Sequence, residues 1–422
     1  MNPEDPEPAA VAAWLAAGAI PPALDRFVTG HARDSGILAE PRRVAAVAQA
    51  LDGVAGWATT ALFARSSSRV NRASVEAFAA TQRHPRDLFR ALRSVGPRLL
   101  PACLELARGE DPGGTREALL ALSNGEDPVV RWQALLVRAG VPPWHVPAVA
   151  ARAERSGEAW TRRWLDMLNR RPPRWVRVVD ARRVAAVRAT LADEGLNVLD
   201  RVGNALALRP DAAVARSRPA REGLLEVQSL ASQWVGEAVP LRPEAKLWLT
   251  HAGRPDLVMH LHARLGATGA LWVTDPAPPR LASLRRRLAR AGVSGVRTAL
   301  WDGLGAPRDL AGAPFDAVVV DPTGGQTGAW RQAPDARLRA AAAVPRRAAS
   351  RSATALAAAA AVTAPGGVVL FAPGCLWVAE TDDVVDHFLA THPGWSADSP
   401  RLLGAPEYDT DTHFAALLRR DG

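Results

Sequence analysis

An acidic side chain set just past a buried strand can take part in chemistry, and the stretch Phe315–Gly328, F-D-A-V-V-V-D-P-T-G-G-Q-T-G, offers one in Asp321. Ala317–Val320 reads as a buried parallel strand, which Asp321-Pro322 and a Gly-rich turn end at its carboxyl side. In an open α/β sheet ligands sit at that edge. Asp321 is therefore a candidate floor for a reactive centre, with a capping acid in a tight turn as the equally open alternative. Asp275 closes Val273-Thr274-Asp275 and Asp302 lies in Trp301-Asp302-Gly303. Asp275 can hydrogen-bond ribose hydroxyls, and either acid can be an ordinary turn residue. The chain has only 2 cysteines, Cys103 and Cys375, too few for a disulfide framework or a four-ligand zinc site. Either can act only as a single thiol. Arg170, Arg171, Arg174 and Arg177 crowd one strand entrance beside Trp175. They offer phosphate contacts with base or ribose stacking, or else a solvated edge over a core tryptophan. His31, His84 and His145 are isolated and read as surface or capping residues, and no metal site is expected.

The elements that must hold these groups fall into three parts. Residues 1–157 carry a helical pattern in segments such as Pro41–Leu51, Ser74–Ala80, Pro97–Ala107, Thr115–Leu122 and Pro128–Ala139, separated by Gly, Pro and Asp. Residues 158–240 read as a small α+β unit: a helix at Trp160–Leu168, a strand after Arg170, a helix at Arg182–Glu194, and short strands near Asn197–Val202 and Ala205–Leu208. From Leu241 strands and helices alternate: Lys246–Thr250, Ala270–Thr274, Val296–Leu300, Ala317–Val320 and Gly367–Phe371 as strands, with a long helix over Asp335–Val362 and a last strand pair near Ser396–Leu403 and Phe414–Leu418. The expected fold class is α/β: an all-α domain, a small α+β linker domain, and a doubly wound Rossmann-like sheet over 241–422.

With 422 residues the chain exceeds one compact core, and 52 Lys plus Arg against 43 Asp plus Glu give a formal charge of +9. Lys246 is the lone lysine. Basic charge concentrates in the middle: residues 151–240 hold 16 arginines against 11 acids, whereas residues 1–150 hold 16 against 15. Nucleic acid is the natural partner of such a surface. No stretch of about 20 apolar residues spans a bilayer, and the acidic start Met1–Pro8 lacks a basic signal region, so a cytoplasmic location is expected.

An ordered set of motifs makes a resemblance specific: R-P-P-R-W-V-R-V (Arg171–Val178), V-Q-S-L-A-S-Q (Val227–Gln233), V-T-D (Val273–Asp275), W-D-G (Trp301–Gly303), V-V-D-P…T-G (Val319–Gly328), P-G-G-V-V-L-F-A (Pro365–Ala372) and D-T-H-F-A-A-L (Asp411–Leu417). Together they resemble the Sun/Nop-type family of S-adenosylmethionine-dependent RNA cytosine-5 methyltransferases from about Trp160 to the C-terminus. The helical front is loosely similar to the NusB-like domain of the bacterial branch.

The resemblance implies ribosomal RNA as partner, S-adenosyl-L-methionine as cofactor, contacts from Asp275, Asp302 and Asp321, and an adduct-stabilising acid at Asp321. The family's reaction needs a thiolate that adds to carbon six of the cytosine. Here the Pro-Cys positions of the acid loop read Thr323-Gly324, and the Thr-Cys-Ser positions read Pro373-Gly374-Cys375, a thiol one residue late. The first cofactor loop, Asp-x-Cys-x-x-Pro-Gly-Gly-Lys in the family, reads L-T-H-A-G-R-P-D-L at Leu249–Leu257. Pro255 removes an amide donor, and Asp256 sets negative charge against the cofactor carboxylate. Three readings follow. The first is an RNA-binding member with reduced or lost catalysis and impaired cofactor binding; the second is an active enzyme with Cys375 as displaced nucleophile; the third is a protein-protein scaffold working through the helical domain.

Overall fold

The computed structural model describes residues 6–35, 40–305, 307, 314–342 and 344–422, so most of the acidic start at Met1–Pro8 lies outside it. Two compact units result, Met1–Arg171 with Trp330–Val344, and Pro172–Ala329 with Pro345–Gly422.

The first unit is helical because its apolar residues recur at helical spacing and its breaks carry caps. Asn71 and Ser74 form a reciprocal capping box at the start of Arg72–Thr81, and the Asp127 carboxylate accepts from the amides of Val129 and Val130 ahead of Pro128–Arg138. His84 caps Pro85–Val95 by accepting from Arg86 N at 3.1 Å. The helix that begins at Pro41 runs on to Ser66, well past the expected end at Leu51. Asp52-Gly53 does not stop it, since it packs at the centre of the core, where Leu51, Val54, Ala55, Ala58 and Phe63 are buried. Tertiary burial overrides the local break signal. Gly140 (φ +71°) lies against this helix so closely that a Cβ there would stand 1.9 Å from Gly56 O. Edge-to-face pairs Trp14–Phe89 (5.7 Å) and Phe63–Phe78 (5.4 Å) fill the core.

The segment Trp330–Val344 belongs to this helical unit, although it lies between two strands of the other unit in sequence. Leu338 joins the helical core. Trp144 Nε1 donates to Ala340 O at 2.8 Å, and His145 Nε2 lies 2.9 Å from Arg337 O. The fully buried Arg337 donates to Gly56 O at 2.6 Å and to the Asn169 side chain. His145 is thus a core residue rather than a surface or capping one, and burial pulls its imidazole down to about 4. The single helix expected over Asp335–Val362 is two, Asp335–Arg339 and Val344–Val362. Ala340 is extended (ψ 116°), and Pro345 has no amide to donate while its ring excludes a helical carbonyl four residues back.

The second unit contains two sheets. In the smaller, β1 (Arg174–Val178), β2 (Asp200–Val202), β3 (Ala205–Leu208) and β4 (Leu225–Val227) lie in the order β2-β3-β1-β4, with every pairing antiparallel. The larger comprises β5 (Lys246–Leu249), β6 (Ala270–Asp275), β7 (Val296–Leu300), β8 (Phe315–Val320), β9 (Thr363–Phe371), β10 (Trp395–Ala397), β11 (Arg401–Gly404) and β12 (Thr412–Arg420). Its order is β10-β12-β9-β8-β5-β6-β7, with β11 also pairing with β12. Strands β5 to β9 are parallel, whereas β12, β10 and β11 join antiparallel, so the Rossmann-like sheet is mixed at one side. Strand order reverses between β5 and β8, which makes their carboxyl ends the topological switch point.

Candidate functional site

Asp321 stands at the end of β8 as its sequence position requires, buried and paired with a residue from the loop after β5. Arg254 Nε donates to Asp321 Oδ2 at 2.6 Å, with the two side chains 18% and 8% exposed. Arg254 Nη1 lies 3.1 Å from His413 Nδ1, and Nη2 donates to Ala372 O at 3.4 Å. His413 Nε2 is in turn 3.4 Å from Asp411 Oδ2. Strand ends β5, β8, β9 and β12 thus converge on one guanidinium. Burial alone would lower the Arg254 pKa; the Asp321 charge and hydrogen bond outweigh it and hold the group above its ordinary value. Burial likewise opposes ionisation of Asp411, but hydrogen bonds led by that from His413 keep its carboxyl below the usual range. Asp256 is turned toward Ser232, whose hydroxyl donates to it at 2.9 Å.

Asp275 ends β6 fully buried. Its Oδ2 accepts from Ala252 N at 3.1 Å and its Oδ1 from Ala277 N at 2.8 Å, while Arg280 Nη1 lies 3.6 Å away. The carboxylate ties the loop after β5 to the loop after β6. Asp302 is exposed beyond β7, where it accepts from Leu304 N at 2.8 Å in a local turn. Trp301 beside it is buried against Trp248 (5.0 Å) and His251 (5.8 Å).

Cys375 is only 1% exposed. The Thr327 hydroxyl donates toward its Sγ at 3.5 Å and Trp377 N at 3.4 Å, and burial with the neighbouring Glu380 carboxyl pushes the thiol up to about 12. Burial also raises Glu380, to about 7, although Gly325 N donates to its Oε2 at 2.7 Å. Asp321 and Cys375, read from sequence as one catalytic pair, face different groups: Asp321 faces Arg254, and Cys375 faces Thr327, Trp377 and Glu380. The preceding residue points elsewhere. A Cβ at Gly374 would lie 3.4 Å from His413 Cε1, on the Arg254 side. Gly328, whose Cβ would fall 1.8 Å from Thr412 O, fixes the acid loop against β12.

The four arginines singled out in sequence occupy different settings. Arg170 and Arg171 are exposed, and Arg171 lies 3.8 Å from Asp52. Arg174 is half-buried and donates to Pro210 O at 2.9 Å. Arg177 is buried, donating to Gln228 Oε1 at 3.0 Å, and burial lowers its pKa. Trp175 packs in the core and donates to Asp409 O at 2.8 Å. Cys103 is buried in the helical core.

Residues 253–414 match the family model described as 16S rRNA methyltransferase RsmB/F. This chain has the family's fold and motif order. Over these residues it is similar to the RsmB/F, or Sun/Nop-type, methyltransferases. The Mycobacterium tuberculosis protein Rv1407 is 33% identical over 225 residues, 49% of this chain and 48% of that one. The chain therefore spans about half the length of the first curated relatives it matches. The ribosomal RNA small subunit methyltransferase B of Xanthomonas campestris is 29% identical over 313 residues, covering 65% of this chain and 71% of that protein. Among solved structures, that of PH0851 superposes with a TM-score of 0.70 at 16% identity over 100% of both chains, a likeness of fold.

Asp321 and Gly374 both lie within the matched segment, past the ends of β8 and β9. Arg254 reads from sequence as part of the first cofactor loop, but its pairing with Asp321, and the places of His413, Asp411 and Glu380 at this edge, do not. Only Asp411-Thr412-His413 carried a signal, since residues two apart at a strand share a face.

Proposed function

We propose that this chain is an RNA-binding member of the RsmB/F family that no longer transfers a methyl group. Cytosine is too poor a nucleophile at carbon five until a thiolate adds at carbon six, so the reaction stands or falls on a thiol that ionises within reach of the ring. The observation that carries the proposal is the exchange at positions 374 and 375. The position facing His413 is a glycine, and the thiol next to it is buried against Glu380 with its pKa raised to about 12. At neutral pH such a thiol is thiolate to only about one part in 10⁵. Asp321 cannot compensate, because a carboxylate that stabilises an adduct is not the nucleophile that forms it.

S-adenosylmethionine would enter at the carboxyl ends of β5 and β6 and supply the methyl group. The residues there fit it poorly. Asp275 is fully buried with a backbone amide on each oxygen, Pro255 offers no amide at the head of Pro255–Leu265, and Asp256 brings a negative charge to that helix start. RNA as partner rests on the family and on the exposed arginines, ribosomal RNA being its natural form.

The test pairs two measurements on one sample. Filter binding of a ribosomal RNA fragment should show salt-sensitive retention, while labelled S-adenosylmethionine leaves no methyl group on that RNA. Methyl incorporation above that of a no-protein control, or absence of RNA retention at low salt, would each refute the proposal.

A further inference from the structure

Two cations converge on one neutral residue in the acid loop. Thr323 follows Asp321-Pro322 directly. Arg280, in the first turn of the helix Pro278–Arg290, donates from Nη1 to Thr323 Oγ1 at 3.0 Å. Arg351, from the helix Val344–Val362, donates from Nη2 to Thr323 O at 3.4 Å. Both guanidiniums reach solvent, Arg280 with 41% of its side chain exposed.

Their charge is poorly matched by carboxylates. Asp275 lies 3.6 Å from Arg280, beyond hydrogen-bond distance. Among the described ion pairs Arg351 has no carboxylate partner; Glu380 acts on it only at a distance. Arg347, one helical turn before Arg351, is exposed as well. Like charges drawn to one loop repel, and an anion between them would turn that repulsion into attraction.

We infer that Arg280, Arg351 and the Thr323 hydroxyl form a clamp for a phosphate group at the mouth of the Asp321 loop, an inference that rests on the RNA-binding reading for the source of that phosphate. The planar guanidinium fork matches phosphate oxygens, and such charge-assisted hydrogen bonds are about twice as strong as neutral ones. Because Thr323 Oγ1 accepts from Arg280, its own O–H remains to donate to an incoming oxygen. Gly324 and Gly325 follow, so the loop adds no side chain beside the threonine. The same chemistry serves an RNA phosphodiester or a free phosphate ligand.

Fluorescence anisotropy of a labelled single-stranded RNA and isothermal titration with inorganic pyrophosphate separate these sources. The full chain would be compared with Arg280→Ala, Arg351→Ala, the double variant, and Arg351→Lys, with thermal unfolding confirming that each is folded. For RNA, the slope of log affinity against log salt should flatten by about 0.7 for each arginine removed, with Arg351→Lys restoring most of its share. Pyrophosphate binding lost in the double variant while the RNA isotherm is unchanged would assign the clamp to a free phosphate ligand. A double variant that matches the wild type for both probes overturns the clamp, as does a wild type that binds neither. Loss of the RNA-binding reading has a separate signature: a wild type that binds pyrophosphate and no RNA.

Discussion

Arg254 shows how much a single replacement alters this edge of the sheet. It lies in the loop where the family has glycines and a lysine, and it faces the acid at the end of the neighbouring strand. A buried ion pair gains little over an apolar pair of the same volume, but breaking one leaves a charge stranded. Arg254→Ala should therefore cost about 3–5 kcal/mol in urea unfolding, and Arg254→Met with Asp321→Leu should recover most of that loss. Equal losses in both variants would show that the pair is not the source of the effect. Asp321 was legible from sequence because an acid after an apolar run marks a strand end. Its partner, 67 positions earlier, was not, since no local pattern reports which strand ends meet. The setting of Cys375 was equally hidden: whether a thiol after Pro373-Gly374 faces the cleft depends on the turn, and here the turn sends Gly374 toward His413 and Cys375 toward Glu380.

Among the elements, the alternation of strands and helices after Leu241 was readable because buried parallel strands are short apolar runs between turn residues. Strand β4, with only three residues, gave too little pattern to be seen. The assignment of Trp330–Val344 to the helical unit was concealed by its alanine-rich composition, which continues smoothly into the next helix; Pro345 was the one local mark of a break. His145 supplies a test of that docked segment. Its folded pKa of about 4 lies below the ordinary histidine value of 6.5, so the unfolded chain binds a proton that the folded one refuses. Stability from this group is present above pH 6.5 and is lost as pH falls toward 4, by about 3 kcal/mol in all. Unfolding of the wild type and of His145→Gln, measured across that window, should show a steeper acid loss in the wild type. Parallel curves would mean that His145 does not titrate as its burial requires.

At the scale of the molecule, the +9 charge and the arginine-rich middle set an electrostatic preference for polyanions. No helix among the described residues is long and apolar enough to cross a membrane. The fold and the likeness to the RsmB/F methyltransferases were both legible in the order of the motifs, because each marks a strand end or turn that the Rossmann-like sheet needs. Chemistry was less legible, because it depends on which way one side chain points. The most direct measurement is intact-mass analysis, under denaturing conditions, of the full chain incubated with 5-fluorocytosine RNA and S-adenosylmethionine. The account predicts free protein and free RNA, with no covalent species; an adduct that disappears in Cys375→Ser would contradict it and make this chain an active cytosine-5 methyltransferase.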